Sequence, residues 1–135
     1  MTNELVGKVA IVTGGASGLG EGLVRRFCDE GAKVLVGDID RDGGMALAGD
    51  IGADAEFVEA DVSDVDQVSR LVSTAVERFG GLHVMVNNAG VSGTMHRRFL
   101  DDDLADFERV MAINVLAVMA GTRDAARHMS EHGGG

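Results

Sequence analysis

At 135 residues and 45% apolar composition, the chain has the size and make-up of one compact folded domain, not of a disordered segment. Its formal net charge of −10 argues against a nucleic-acid backbone or an anionic membrane surface as partner. No apolar run reaches the ~18 residues of a spanning helix, and the single cysteine, Cys28, excludes an internal disulfide.

Met1-Thr2-Asn3-Glu4 carries no basic region followed by an apolar core, so no signal peptide is expected and a reduced, cytoplasmic setting is the default. Lys8–Thr13, with its run Val9-Ala10-Ile11-Val12, reads as a first strand. It leads into Thr13-Gly14-Gly15-Ala16-Ser17-Gly18-Leu19-Gly20, a glycine turn that opens a helix over Gly18–Glu30. Backbone N–H groups at such a helix start face a pyrophosphate, and the helix dipole favours the negative charge. Gly14 suits the tight turn, Gly18 the approach of a ligand, and Gly20 close packing of helix on strand. The spacing is G-x3-G-x-G, not G-x-G-x-x-G, and the glycines alone also fit a flexible loop. Leu23, Val24, Phe27 and Cys28 share a helical face that ends at Gly31 as C-cap. Cys28 reads as a small buried thiol rather than a nucleophile.

Lys33–Asp38 is the second strand, and Asp38 falls eighteen residues after Gly20. A carboxylate at that spacing accepts ribose hydroxyls and repels a 2′-phosphate, although Asp also ends strands for its turn preference. Arg41–Ile51 is a helix weakened by Gly43 and Gly44. Glu56–Ala60 is the third strand, followed at once by Asp61-Val62. Asp61 can accept from an adenine amino group while the Val62 N–H faces the ring, or it can belong to the cap of the next helix. Ser63 is the expected N-cap of that helix, in which Val65, Val68, Val72, Ala75, Val76 and Phe79 repeat at helical spacing before Gly80-Gly81.

Leu82–Val86 is the fourth strand, with His83 as a packing or edge residue. Asn87-Asn88-Ala89-Gly90 at its end suits a polar junction: one amide braces backbone, and the small residues leave room for a flat ring. A loop from Val91 to about Leu100 carries His96, Arg97 and Arg98, a solvated basic stretch or a reach toward substrate. Asp101-Asp102-Asp103 is expected to cap a last helix running to about Glu131. Phe107, Val110, Met111 and Val118 are expected to pack that helix on the sheet. Asn114 shares their stripe and needs partners or water there. His128 and His132 complement the helix end, and the tail to Gly135 is expected to be mobile. No His, Cys and Asp cluster has metal spacing, so no metal is expected. The sequence has no G-x-S-x-G and no P-loop ending.

Strands alternating with helices predict an α/β, Rossmann-type doubly wound parallel sheet in the order 3-2-1-4. The T-G-x3-G-x-G of Thr13–Gly20, Asp38, Asp61-Val62, Asn87-Asn88-Ala89-Gly90 and Asn114 together resemble the short-chain dehydrogenase/reductase family, in family order and over essentially the whole chain. The resemblance implies that Gly14, Ser17, Gly18 and Leu19 line pyrophosphate and ribose, and that Asp38 selects NAD over NADP. It further implies that Asp61 and Val62 hold adenine, that Asn88, Ala89 and Gly90 lie near the cofactor, and that Asn114 is the catalytic Asn, holding a water in a proton relay. It also implies a homodimer or homotetramer through the last helix and an alcohol or ketone as substrate. One departure is large. The family's Ser and Tyr-x-x-x-Lys have no match; the chain contains no Tyr, and its two lysines, Lys8 and Lys33, begin strands. Residues 1–135 are therefore expected to be the NAD-binding Rossmann domain of a longer oxidoreductase, truncated before those residues and inactive alone. The alternative is a non-catalytic nucleotide-binding or interaction module complete at this length. A methyltransferase shares the glycine loop and the acid but leaves Asn87–Gly90 without a role.

Overall fold

A computed structural model describes residues 2–135. Strands β1 (Val9–Thr13), β2 (Lys33–Asp38), β3 (Ala55–Glu59) and β4 (Val84–Val86) form one parallel sheet in the order β3-β2-β1-β4, as the alternation predicts. Between them run helices α1 (Gly18–Asp29), α2 (Arg41–Ile51) and α3 (Val65–Phe79). After β4 come a 3-10 turn (Phe99–Asp101), the short helix α4 (Phe107–Met111), a π-helical turn (Ala112–Leu116) and α5 (Ala117–Glu131).

Every residue of β1 is buried, which is why it reads as an unbroken apolar run: a central parallel strand is covered on both faces. Ile11 and Leu35 face Leu71, Val72, Ala75 and Ala125 from α3 and α5. Ala10, Val12, Val34 and Val36 face Val24 of α1 and Leu47 of α2 on the other side. Each Val, Leu or Ile among them contributes ~1.5–3 kcal/mol on full burial. The parallel register pairs Thr13 with Gly37 and Asp38 with Glu59, so the strand tips stand side by side at one end of the sheet. No helix among the described residues is long and apolar enough to cross a membrane.

Several boundaries move. β1 begins at Val9, β3 lies one residue earlier than expected, and β4 is shorter. His83 is more than an edge residue: its ring Nδ1 accepts the Val9 N–H at 3.0 Å. Asp64, not Ser63, caps α3, accepting from the Asp66 N–H, while Ser63 donates to Asp61. The last helix starts at Phe107, because Asp102 and Asp103 accept from the nearby Leu104 and Ala105 N–H groups in turns of their own. The expected packing stripe is also corrected. Phe107 is 64% exposed and Met111 40%, whereas Ala117, Ala120, Gly121 and Ala125 are buried. The π turn rotates α5 relative to α4, and only small residues fit where α5 lies close to its neighbours; Gly121 abuts Asn87 and Met85. The tail folds back, with the Gly134 N–H donating to the Met129 carbonyl at 2.7 Å. Cys28 is half-buried, and burial pushes its thiol up to about 11, in keeping with an inert side chain.

Candidate functional site

The tips of the four strands open into a cleft of about 340 Å³. Gly14, Ser17 and Leu19 line it from the glycine turn, Asp38 from β2, Asp61 and Val62 from the end of β3, and Asn88, Ala89 and Gly90 from the end of β4. Residues far apart in sequence, singled out for one chemistry, thus face one space. Two stand apart. Gly18 is exposed beside the cleft with open space where a side chain would be. Asn114 lines an adjoining hollow of about 440 Å³ with Ala89, Gly90 and Val91.

The glycine turn is held by its neighbours. Gly14 has φ +62°, a conformation that favours glycine. A Cβ on Gly20 would overlap the Gly14 carbonyl oxygen and crowd Asn88 Nδ2, so helix and turn approach as closely as backbone allows. The Asn88 amide donates to the carbonyls of Thr13 (3.0 Å) and Gly14 (3.1 Å). The buried Thr13 hydroxyl accepts from the Asn88 and Ala89 N–H groups, each at 3.1 Å. These bonds tie the end of β4 to the end of β1 and fix the turn that the cleft is built on.

Asp38 Oδ2 accepts from the Ala16 N–H inside the glycine turn, and Oδ1 accepts from the Asp40 N–H, both at 3.0 Å. An ionised carboxylate has about four acceptor positions, so each oxygen keeps capacity toward the cleft. Asp61 combines both roles that its sequence position left open. It lines the cleft, and its Oδ1 accepts from the Ser63 N–H (2.9 Å) and hydroxyl (2.7 Å), setting the turn into α3.

Asn114 does not lie on a buried face. It is exposed within the π turn, and its amide grips the backbone of Val91: Oδ1 accepts the Val91 N–H and Nδ2 donates to the Val91 carbonyl, both at 2.8 Å. Asp106, just before α4, accepts from the Thr94 hydroxyl and N–H, which hold its carboxyl below the usual range. Loop 91–106 is thereby pinned at both ends. His96, Asp102 and Asp103 bring ligand atoms within 4.8 Å of one another, a proximity that sequence spacing did not reveal. They lie on the outer loop, and both carboxylates are already acceptors in turns.

Sequence reasoning missed Ile39, Arg109 and Ile113 as cleft residues. Ile39 adjoins Asp38 and could have been read from it; Arg109 and Ile113 reach the cleft only through the placement of α4, which nothing in their local pattern announces.

The sequence profile of the short chain dehydrogenases matches residues 8–135. The chain belongs to the short-chain dehydrogenase/reductase family. Within it, the sex determination protein tasselseed-2 of Zea mays is 48% identical over 134 residues, covering 96% of this chain and 40% of that protein. The 3-alpha-(or 20-beta)-hydroxysteroid dehydrogenase of Mycobacterium bovis is 42% identical over 137 residues, covering 100% of this chain and 51% of that one. The crystal structure of a 3-ketoacyl-(acyl-carrier-protein) reductase from Brucella melitensis, complexed with NADH, matches with a TM-score of 0.90 and 39% identity over 96% of this chain and 53% of that one. This short-chain dehydrogenase/reductase chain spans about half the length of the curated relatives it matches.

Proposed function

We propose that residues 1–135 are the cofactor-binding part of a longer NAD-dependent oxidoreductase that moves hydride between a nicotinamide and a secondary alcohol or ketone. The observation that carries this reading is Asp38, braced against the glycine turn by Ala16 yet retaining free acceptor capacity on both oxygens beside the cleft. A ribose diol fits those acceptors, while a 2′-phosphate meets like charge. The nearby Arg41 does not line the cleft and faces Glu59 at 3.7 Å. The similar reductase complexed with NADH and the similar hydroxysteroid dehydrogenase support the reaction class.

When bound, the dinucleotide supplies the hydride donor or acceptor. The remaining work belongs to side chains and backbone. Gly14, Ser17, Gly18 and Leu19 offer N–H groups and close approach to the pyrophosphate at the start of α1. Asp38 accepts the ribose hydroxyls. Asp61 and Val62 border the adenine, and Asn88, Ala89 and Gly90 form a floor near the cofactor. Asn114 holds the start of loop 91–106 through its amide grip on Val91, and we assign to it the water of the proton relay. The alcohol proton needs a donor or acceptor within hydrogen-bond reach. The 135 residues include no Tyr, and we assign that group to further sequence of the parent chain.

Calorimetric titration of NAD and NADP tests the cofactor: NAD binds on the order of tenfold tighter or more, and Asp38→Ala narrows the difference. Equal affinities in the unaltered protein reject the assignment. Assays over a panel of secondary alcohols, with residues 1–135 beside an extended reading frame, test the rest. Turnover is expected from the longer chain alone; equal turnover by the short one overturns the division.

A further inference from the structure

Among the described residues, Arg109 is the one cationic side chain lining the cleft, whose other ionisable side chains are Asp38 and Asp61. It is exposed and takes part in none of the ion pairs among the described residues. The two cleft acids have partners of their own: Asp61 holds Ser63, and Asp38 holds Ala16 and Asp40. An unpaired guanidinium that faces a cleft is available to a ligand.

Its position along the cleft follows from the helix. Val110 and Asn114 form a stripe turned toward the strand end after β4: Asn114 grips Val91, and a Cβ on Gly93 would lie 3.4 Å from Val110 Cγ2. Arg109 and Ile113 are the adjoining i, i+4 stripe. Ile113 packs against the cluster of Val62, Val68, Ala117 and Ala120, and it lines the cleft with Asp61, Val62 and Arg109, so Arg109, one turn earlier, is carried toward the Asp61–Val62 wall at the end of β3. β3 lies two strand spacings from β1, about 10 Å from the glycine turn whose N–H groups suit the pyrophosphate.

We propose that Arg109 is a specificity-determining residue that lays its guanidinium plane on the face of the adenine ring, resting on the dinucleotide reading above. A planar, weakly hydrated cation stacks on a flat π system, where the compact, strongly hydrated ammonium of lysine does not substitute. At the Val62 wall, an exposed adenine has an apolar surface on one side and Arg109 as cover on the other. Arg109 thus selects for the adenine half of the ligand, independently of its phosphates.

Calorimetry on the full chain with adenosine, AMP and nicotinamide mononucleotide tests this. In Arg109→Met, adenosine and AMP weaken by about the same five- to tenfold factor while nicotinamide mononucleotide is unchanged, and Arg109→Lys does not recover the loss. Unchanged adenosine affinity in Arg109→Met overturns the proposal. So does an equal loss of nicotinamide mononucleotide, or recovery by Lys, either of which marks a point-charge contact to phosphate. If the unaltered protein, folded by circular dichroism, binds none of the three nor NAD, the dinucleotide reading itself has failed and this inference falls with it.

Discussion

Gly18 and Gly20 belong to one turn and meet different constraints. A Cβ at Gly20 collides with the Gly14 carbonyl and the Asn88 amide, neither of which can move without releasing the end of β4. Gly20→Ala is therefore expected to cost more than ~3 kcal/mol of stability. Gly18 has φ +57° and open space above it, so Gly18→Ala costs only backbone strain, ~1–2 kcal/mol. Chemical denaturation of the two variants reads the difference, and equal losses would contradict the packing account. Asp38 and Asn88 could be picked out from the sequence because their chemistry is local: an acid and an amide at strand ends beside glycines. His83 could not. Its ring serves Val9, a neighbour only after β1 and β4 have paired. Arg109 was silent for the same reason, since an arginine on a helix has no mark that says which wall it will meet.

Among the elements, α1 shows how a buried charge is handled. Glu30, at its C-terminus, is 4% exposed. Burial pushes its carboxyl up, but the Thr2 hydroxyl and N–H, the Glu4 N–H and Arg26 outweigh that and hold it below the usual range. A carboxyl lowered on folding stabilises the native state above its unfolded pKa, and the contribution is lost as pH falls through the folded value. Glu30→Gln is thus expected to lower the thermal midpoint at neutral pH. The gap to the unaltered protein should close below about pH 4. Thermal unfolding from pH 7 to pH 3 checks this; a gap that widens toward acid would refute it. The four strands and first three helices were legible because each is a short apolar run or a helical repeat followed closely by Gly, Asp or Asn. The segment after β4 was not. Its helix contains a π turn, which breaks a single-period reading at Ala112–Leu116 and sends the stripe expected against the sheet partly outward.

At the scale of the whole molecule, the apolar side chains left outward after β4 are a surface property. Phe107, Leu116 and Met119 are exposed, with Phe99 and Leu100 on the loop before them. Exposed large apolar side chains in one stretch of chain are a starting point for an association surface. In keeping with the proposed homodimer or homotetramer, light scattering of the full chain is expected to give a mass above the monomer. Leu116→Glu with Met119→Glu should reduce it; a monomer at micromolar concentration before any substitution would reject the idea. The cleft has a different global consequence. Its walls come from the tips of all four strands and from α4, segments joined elsewhere only through the core. A molecule seated there acts as a rivet through the sheet's open end, touching every strand at once. Because unfolding must release it, such a molecule adds to the fold's stability by mass action, about 2.7 kcal/mol at a hundredfold excess over Kd. Stability would then keep rising with free ligand after the cleft is full, by about 1.4 kcal/mol for each tenfold.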